Sequence, residues 1–405
     1  TTGANVPQIY QHVPRLEQGT ACIDQLRHIV REGEHWIPND ISNYPTKVTM
    51  LKFIIHYLKT MSKTASLLLV FSISALLNGC ISNSKSEKTD SQEASSDANV
   101  AGFKKGIVTP VGYEDAIGDT IKILSWNVEH FVDAHDDPYV QNDRENSGEK
   151  MEGRVSLLIQ ALRKADADII VLQEFEHVQF IKQIASDSLE DMKYEFFADS
   201  KSINWYMNVV VMSRVPLGII YGYGSVNTPV SYVDEESNEQ RYETQSRINT
   251  RMWSIDVLVN DQYSFLLTGV HLKAGRGARN EAMRLGQIQF LKGQFERFTL
   301  EDPKKNILVV GDFNATPDSK EFQFMLDGNS PVKFIDNLED SVFSHPADSP
   351  RWRIDHILPN QNMQPELLVN TLNVTYLFDK ETQLKLADHL PVVASFSTRD
   401  REIIQ

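Results

Sequence analysis

The chain has 405 residues, 41% of them apolar and 23% charged, with 40 Lys plus Arg against 55 Asp plus Glu. Residues 1–100 carry nine of each sign, so the whole net charge of −15 falls on residues 101–405 and argues against a domain that grips long duplex nucleic acid through a basic footprint. The two cysteines, Cys22 and Cys80, exclude thiol chemistry and Cys-bound zinc beyond residue 80.

Residues 1–49 fit no element and are left unassigned. Met50 and Met61 both offer starts, so 1–49 reads as upstream sequence, with a small N-terminal extension as the alternative. Residues 50–80 read as a secretory leader: Lys52, Lys59 and Lys63 precede the apolar run TASLLLVFSISALL, and Asn78-Gly79-Cys80 follows. The run falls short of the ~20 residues a spanning helix needs. Leu77-Asn78-Gly79-Cys80 looks like a lipobox, which makes Cys80 the lipidation site. The expectation is an extracytoplasmic, membrane-anchored lipoprotein, at the outer membrane if the source is Gram-negative, since Ile81 rather than Asp follows the cysteine. A buried core helix ending at Gly79 is the plain alternative. Residues 81–117 begin with the Ser-rich, polar SNSKSEKTDSQEASSD and read as a flexible tether.

From about Thr120 the texture becomes globular, and 118–400 reads as one catalytic domain. IKILSWN (121–127), DIIVLQE (168–174), NVVVMS (208–213) and ILVVGD (307–312) read as buried strands. Residues 152–165 place Val155, Leu158, Ile159 and Leu162 on one helical face, and 278–298 read as another helix. Residues 251–270 read as a hairpin turning at Asn260-Asp261. Tyr232 to Gln245 is an acidic connection, either an exposed hairpin or a substrate-facing loop.

Polar residues gather where the apolar strands end: Asn127 and Glu129, Glu174, His271, Asp312 and Asn314, then Asp355 and His356, then Asp388 and His389. Each alone has an ordinary explanation; Asn127 caps a turn, Glu174 is a strand-end charge, and Gly-Asp-Phe-Asn is a turn sequence. Six such placements, all of metal-ligand or acid/base residue types, point to one convergent site.

Taken in order, WNVE, LQE, the SRVPL of 213–217, HL, GDFN with the Asp-His of 355–356, and ADHLP resemble the endonuclease/exonuclease/phosphatase superfamily over about residues 120–398. The resemblance implies an α+β fold, a four-layer αββα sandwich of two mostly antiparallel sheets with helices outside and the site at its mouth. It implies Glu174 as main metal ligand, with Asn127 and Asp388 completing the shell, for Mg²⁺ or alternatively Mn²⁺. Asp312 would orient or deprotonate the attacking water. Asn314 would hold that water or the phosphate. His389, paired with Asp355, would sit over the phosphate, and His271 would donate to a phosphoryl or leaving-group oxygen.

Asn208, Arg214 and Arg276 are assigned to substrate binding. Arg276 belongs to a basic stretch with Lys273, Arg279 and Arg284, for which a solvated helix start is the alternative. Asp133, His135, Asp136 and Asp137 form either a second cation site or a solvated acidic loop. The expected function is metal-assisted hydrolysis of a phosphoester in a nucleic acid, a phospholipid head group or a small molecule, by a monomer. The alternative is an inactive binding or adhesion lipoprotein on the same scaffold, which would be expected to have lost a ligand or an imidazole.

Overall fold

The computed structural model describes residues 102–104, 107–109, 113, 118–133, 148–200, 207–246 and 251–401. The leader, Cys80, His135, Asp136 and Asp137 lie outside the described residues. All described residues belong to one compact unit, Ser96–Gln405.

Its centre is two facing sheets. The six-stranded sheet has the order β14-β15-β3-β4-β6-β5, and the five-stranded sheet has β13-β12-β11-β10-β7. In the first, β3 (Thr120–Phe131), β4 (Ile169–Phe175), β5 (Phe196–Asp199), β6 (Asn208–Ser213), β14 (Asn373–Val374) and β15 (Val392–Ser397) take part. In the second are β7 (Leu217–Gly222), β10 (Met252–Leu258), β11 (Ser264–His271), β12 (Ile307–Asp312) and β13 (Asp355–Pro359). Each sheet holds a single parallel pair, β3–β4 in one and β11–β12 in the other, and every other pairing is antiparallel.

Side-chain parity explains the layers. Successive strand residues face opposite sides. Ile121, Ile123, Ile169, Val171, Leu308 and Val310 fill the space between the sheets. Their neighbours Leu124, Trp126, Ile170 and Leu172 face outward, onto α1 (Gly148–Ala165) and α2 (Val178–Ser188). Ile307 and Val309 face the opposite way, onto α3 (Ala278–Glu301) and α4 (Lys320–Leu326). Both faces of the central strands are buried, which is why β4, β6 and β12 read as near-continuous apolar runs. The result is the four-layer αββα sandwich that the resemblance implied.

Three local expectations hold and one is corrected. The hairpin turns where predicted, because Asn260 Oδ1 accepts from the backbone N–H of Gln262 and Tyr263 at 2.9 Å each. Helix α1 starts four residues before the predicted window, and α3 begins where predicted and runs three residues past its window. The acidic connection is an exposed hairpin, β8 (Thr228–Val233) with β9 (Gln240–Gln245). It is pinned to the start of α3, where Glu235 Oε1 accepts from Ala278 N at 2.9 Å and Glu243 Oε2 pairs with Arg279 at 2.7 Å. The correction concerns the tether. Within 81–117, β1 (Gly102–Lys104) pairs with β2 (Ile107–Thr109), and the Tyr113 ring packs edge-on against Phe196 at 5.6 Å. Phe103, Ile107 and Val108 supply the apolar, β-forming residues that the Ser-rich part lacks.

Candidate active site

Parallel pairing brings two strand C-termini to the same edge of a sheet. In the five-stranded sheet His271 lies opposite Asp312, and Asp312 opposite Asp355, so three polar side chains form one row. Parity puts that row on the inner face, in line with Leu267, Val310 and Ile357. In the six-stranded sheet Asn127 shares the inner face with Ile121 and Ile123, and it lies opposite Gln173. The two rows therefore meet across the gap between the sheets.

Glu174 has the wrong parity to join them, and the backbone corrects this. Glu174 takes φ +56°, and the β4 register shifts there against both neighbours. A left-handed residue in a strand is uncommon for a side chain of this size. Glu129, His130 and Asn314 also have positive φ, at 50°, 45° and 50°, so the strained backbone gathers at the site. The buried Arg154 guanidinium braces the bulge from below, donating to the carbonyl oxygens of Val128, Glu129, His130 and Leu386.

Asn127 joins the sheets. Its Nδ2 donates to Glu174 Oε1 at 3.3 Å and to Asp312 Oδ2 at 3.1 Å, while its Oδ1 accepts from Glu129 N at 3.0 Å. Glu174 Oε2 accepts from His130 N at 3.0 Å. Asp312 Oδ1 accepts from Asn314 N at 2.7 Å, and its Oδ2 from Asn314 Nδ2 at 3.3 Å. His271 Nε2 lies 3.6 Å from Glu174 Oε1 and 3.7 Å from Asp312 Oδ2. His389 Nδ1 meets Asp355 Oδ2 at 2.8 Å, and its Nε2 lies 4.0 Å from Asp312 Oδ2. Ser344 Oγ donates to the same Asp355 oxygen at 2.6 Å, and Trp126 Nε1 fixes the His389 carbonyl at 2.9 Å.

Burial and neighbouring charge set the protonation states. Burial works against a charge on His389, but Asp355, Asp312 and Asp388 outweigh it and push the imidazole up to about 10. It is an imidazolium at neutral pH. Asp312 is raised, chiefly by burial and then by the Asp355 carboxylate. His271 is pushed down to about 3 by burial and the nearby Arg251. Burial opposes ionisation of Glu174, yet its carboxyl is lowered overall by His271 and His130 charges and by hydrogen bonds from His130 N and Asn127. These causes conflict, because an imidazole that stays neutral down to about 3 lends Glu174 no charge at pH 7. The two hydrogen bonds do not depend on the state of His271.

The structure places most of the expected residues together, with three adjustments. Arg214 is the correction. It pairs with Asp166 at 2.5 Å and Asp168 at 2.9 Å, and it donates to Met192 O at 2.8 Å. Because β6 runs antiparallel to β4, Ser213 lies opposite Ile169, at the end of β4 away from Glu174. Arg214 thus braces the far pole. Asn208, opposite Phe175 at the mouth end, is buried and donates to Glu176 O. Asp388 approaches from the other side, with Oδ1 3.8 Å from His389 Nε2 and Oδ2 3.5 Å from His345 Nε2.

Of the basic stretch, Arg279 is paired with Glu243, and buried Arg284 with Glu321 at 2.8 Å. Arg276 instead lies over the Trp352 ring, 4.7 Å from its centroid. Asp133 gathers with Glu176 and His177. His177 Nε2 lies 3.4 Å from Asp133 Oδ2 while its Nδ1 caps α2.

His345, Trp352, Ser344 and Arg154 are the residues sequence reasoning missed. His345 packs 4.5 Å from the His389 ring and stacks on Trp352. Ser-His-Pro at 344–346, a second chemistry-bearing histidine beside a proline, was the signal available. A cleft of about 750 Å³ opens beside the cluster and shares Asn314 and His345 with it.

The donor set suits a hard divalent cation. Two carboxylates, Glu174 and Asp312, converge on one amide nitrogen, and neither pairs with a Lys or Arg among the described residues. As placed, Asn127 spends its oxygen on the Glu129 amide and orients the carboxylates with its nitrogen.

The sequence pattern of the Endonuclease/Exonuclease/phosphatase family matches residues 124–369, which include every site residue above except Asp388 and His389. Nocturnin of Drosophila melanogaster is 25% identical over 208 residues, which are 49% of this chain and 29% of that protein. The chain thus spans under a third of that relative. The human Nocturnin catalytic domain with bound sulfate is 18% identical, with a TM-score of 0.43 over 69% of this chain and 95% of that one. An endonuclease/exonuclease/phosphatase from Bacteroides vulgatus is 15% identical, with a TM-score of 0.45 over 69% and 99%. More than half of the chain carries the family pattern, so it belongs to the Endonuclease/Exonuclease/phosphatase family.

Proposed function

We propose that the domain hydrolyses phosphoester bonds with a divalent cation, Mg²⁺ or Mn²⁺, held chiefly by Glu174 with Asp312 beside it and Asp388 toward the rim. The observation that carries the reading is the convergence of Asn127, His271, Asn314 and His389 on the buried carboxylate of Asp312, with Glu174 sharing the Asn127 amide and the His271 imidazole with it. When bound, such a cation would act as a Lewis acid on the phosphoryl group. Asp312, oriented by the Asn127 and Asn314 amides, accepts a proton from the attacking water, which the Asn314 amide helps to hold. His389 donates through Nε2–H to a phosphoryl oxygen, while Asp355 fixes its Nδ1 proton and favours the imidazolium. His271 stays neutral and donates a hydrogen bond to the departing oxygen.

No member of the set is missing, which favours a hydrolase over an inactive scaffold. The leader-like run and Cys80 support a place outside the cytoplasm on a lipid anchor. Loss of palmitate labelling in Cys80→Ser would support that placement, and retained labelling would sink it.

The test of the chemistry is a panel of bis(p-nitrophenyl) phosphate, plasmid DNA, sphingomyelin and inositol phosphates, with Mg²⁺, Mn²⁺ or chelator. His389→Ala and Asp312→Asn should each lose about 10²–10⁴-fold in turnover, with unchanged circular dichroism. Near wild-type rates in either variant would overturn the assigned roles.

A further inference from the structure

The cleft beside the site has a composition the hydrolytic step does not use. Its floor is continuous with the reacting groups: Asn314 bonds Asp312, and the His345 ring lies 4.5 Å from His389. On its wall the Trp352 ring carries two guanidinium groups, Arg276 at 4.7 Å and Arg351 at 4.4 Å from its centroid. Both arginines are exposed, and neither makes an ion pair with a carboxylate among the described residues.

The other two arginines of the lining are different. Arg284 is buried against Glu321 at 2.8 Å, and Arg353 against Asp336 at 2.9 Å. In a chain of net charge −15, Arg276 and Arg351 are two arginines held over one indole with no acid paired to either among the described residues. A guanidinium over an aromatic face is positioned by the ring quadrupole while its N–H groups remain available to an oxyanion. His345 stacks on the same indole, with centroids 5.7 Å apart and an interplanar angle of 21°. One continuous stack thus runs from the arginine pair to the imidazole beside His389.

The geometry points to Arg276 and Arg351 as a second phosphate subsite, so that the substrate carries a phosphate group besides the one being cleaved. This inference rests on the phosphoester reading of the site. Glu281, Asp318 and Asp340 also line the cleft, and Asp318 is tied to Thr316 Oγ1 at 2.6 Å. They leave a local anion site within an acidic rim, which favours a compact substrate over a long polyanion. A cleft of about 750 Å³ accommodates a ligand of nucleotide size. A bisphosphorylated nucleotide and a phosphorylated inositol headgroup offer the same chemistry, and the test separates them.

Two matched pairs serve as probes: adenosine 3′,5′-bisphosphate against adenosine 5′-monophosphate, and inositol 1,4-bisphosphate against inositol 1-phosphate. Equilibrium binding is measured by calorimetry without added metal, and hydrolysis with Mg²⁺ or Mn²⁺. The wild type should bind the bisphosphate member of at least one pair at least tenfold more tightly, and that pair names the source. In R276A/R351A the preference should fall to within about twofold, while R276K/R351K keeps part of it. No preference in either pair, or a preference that survives in R276A/R351A, would overturn the subsite. A wild type that binds with the preference but cleaves no phosphoester under any metal condition would instead overturn the hydrolytic reading.

Discussion

The His389 ring is held by one short contact, and that contact dominates its protonation. The Asp355 carboxylate at 2.8 Å is the main reason the imidazole stays charged to about 10 despite its burial. The sign follows directly: a raised pKa means that the imidazolium is present below about 10 and lost above it. An activity that needs the imidazolium therefore has its alkaline limb near that value. Asp355→Asn removes the first opposing charge, so burial regains ground and the limb should move toward neutral pH, with kcat falling about 10²-fold or more. A pH–rate profile unchanged by Asp355→Asn would refute the pairing. Arg214 gives the opposite expectation. Its guanidinium ties Asp166 and Asp168 at the far pole, so Arg214→Ala should cost about 1–3 kcal/mol of stability and leave kcat/KM within about twofold. Denaturant melts and steady-state kinetics on one preparation separate the two effects.

Strands place these residues, and one glycine makes the placement possible. Gly311, next to Asp312 in β12, has φ +139°, and a Cβ there would meet the Val270 carbonyl oxygen at 1.9 Å. Gly311→Ala must push β12 away from β11, which breaks the His271–Asp312 register. We expect a loss of at least about 1–3 kcal/mol together with a fall in kcat/KM; thermal melts that overlay the wild type would contradict this. The strands themselves were legible in the sequence. Both faces of β4, β6 and β12 are buried, so each is a near-continuous apolar run whose polar terminus stands out, and β3 differs by Lys122 and Ser125. What the sequence hid was direction and curvature. SRVPL looks like part of the site until β6 is known to run antiparallel to β4, which carries Arg214 to the other end. Glu174 is on the wrong face by counting, and only a left-handed backbone turns it in. His345 and Trp352 lie in the irregular segment between α4 and β13, where no period marks a residue as inward. Asp355 was visible through the Asp-His pair at 355–356, while its partner Ser344 was not.

At the scale of the molecule the site is a seam. Asn127 and Glu174 come from one sheet, while His271, Asp312 and Asp355 come from the other. The Trp253 Nε1 bond to Val209 O at 2.7 Å and the Asn127 amide are two polar links between the sheets. A cation at Glu174 and Asp312 would add a third and would offset two carboxylates of like charge brought together from opposite layers. Binding there should thus stabilise the whole sandwich rather than one loop. At 100 times its Kd a ligand confined to the folded state adds about 2.7 kcal/mol. For a domain of about 280 residues that corresponds to a rise in Tm of roughly 4–5 °C. Mg²⁺ or Mn²⁺ should produce that rise, chelator should reverse it, and Glu174→Gln should lose most of it while still folding. Calorimetric scans across a metal titration measure all three. If neither ion shifts the wild-type transition beyond its effect on Glu174→Gln, the two carboxylates do not share a cation, and the proposed chemistry loses its electrophile.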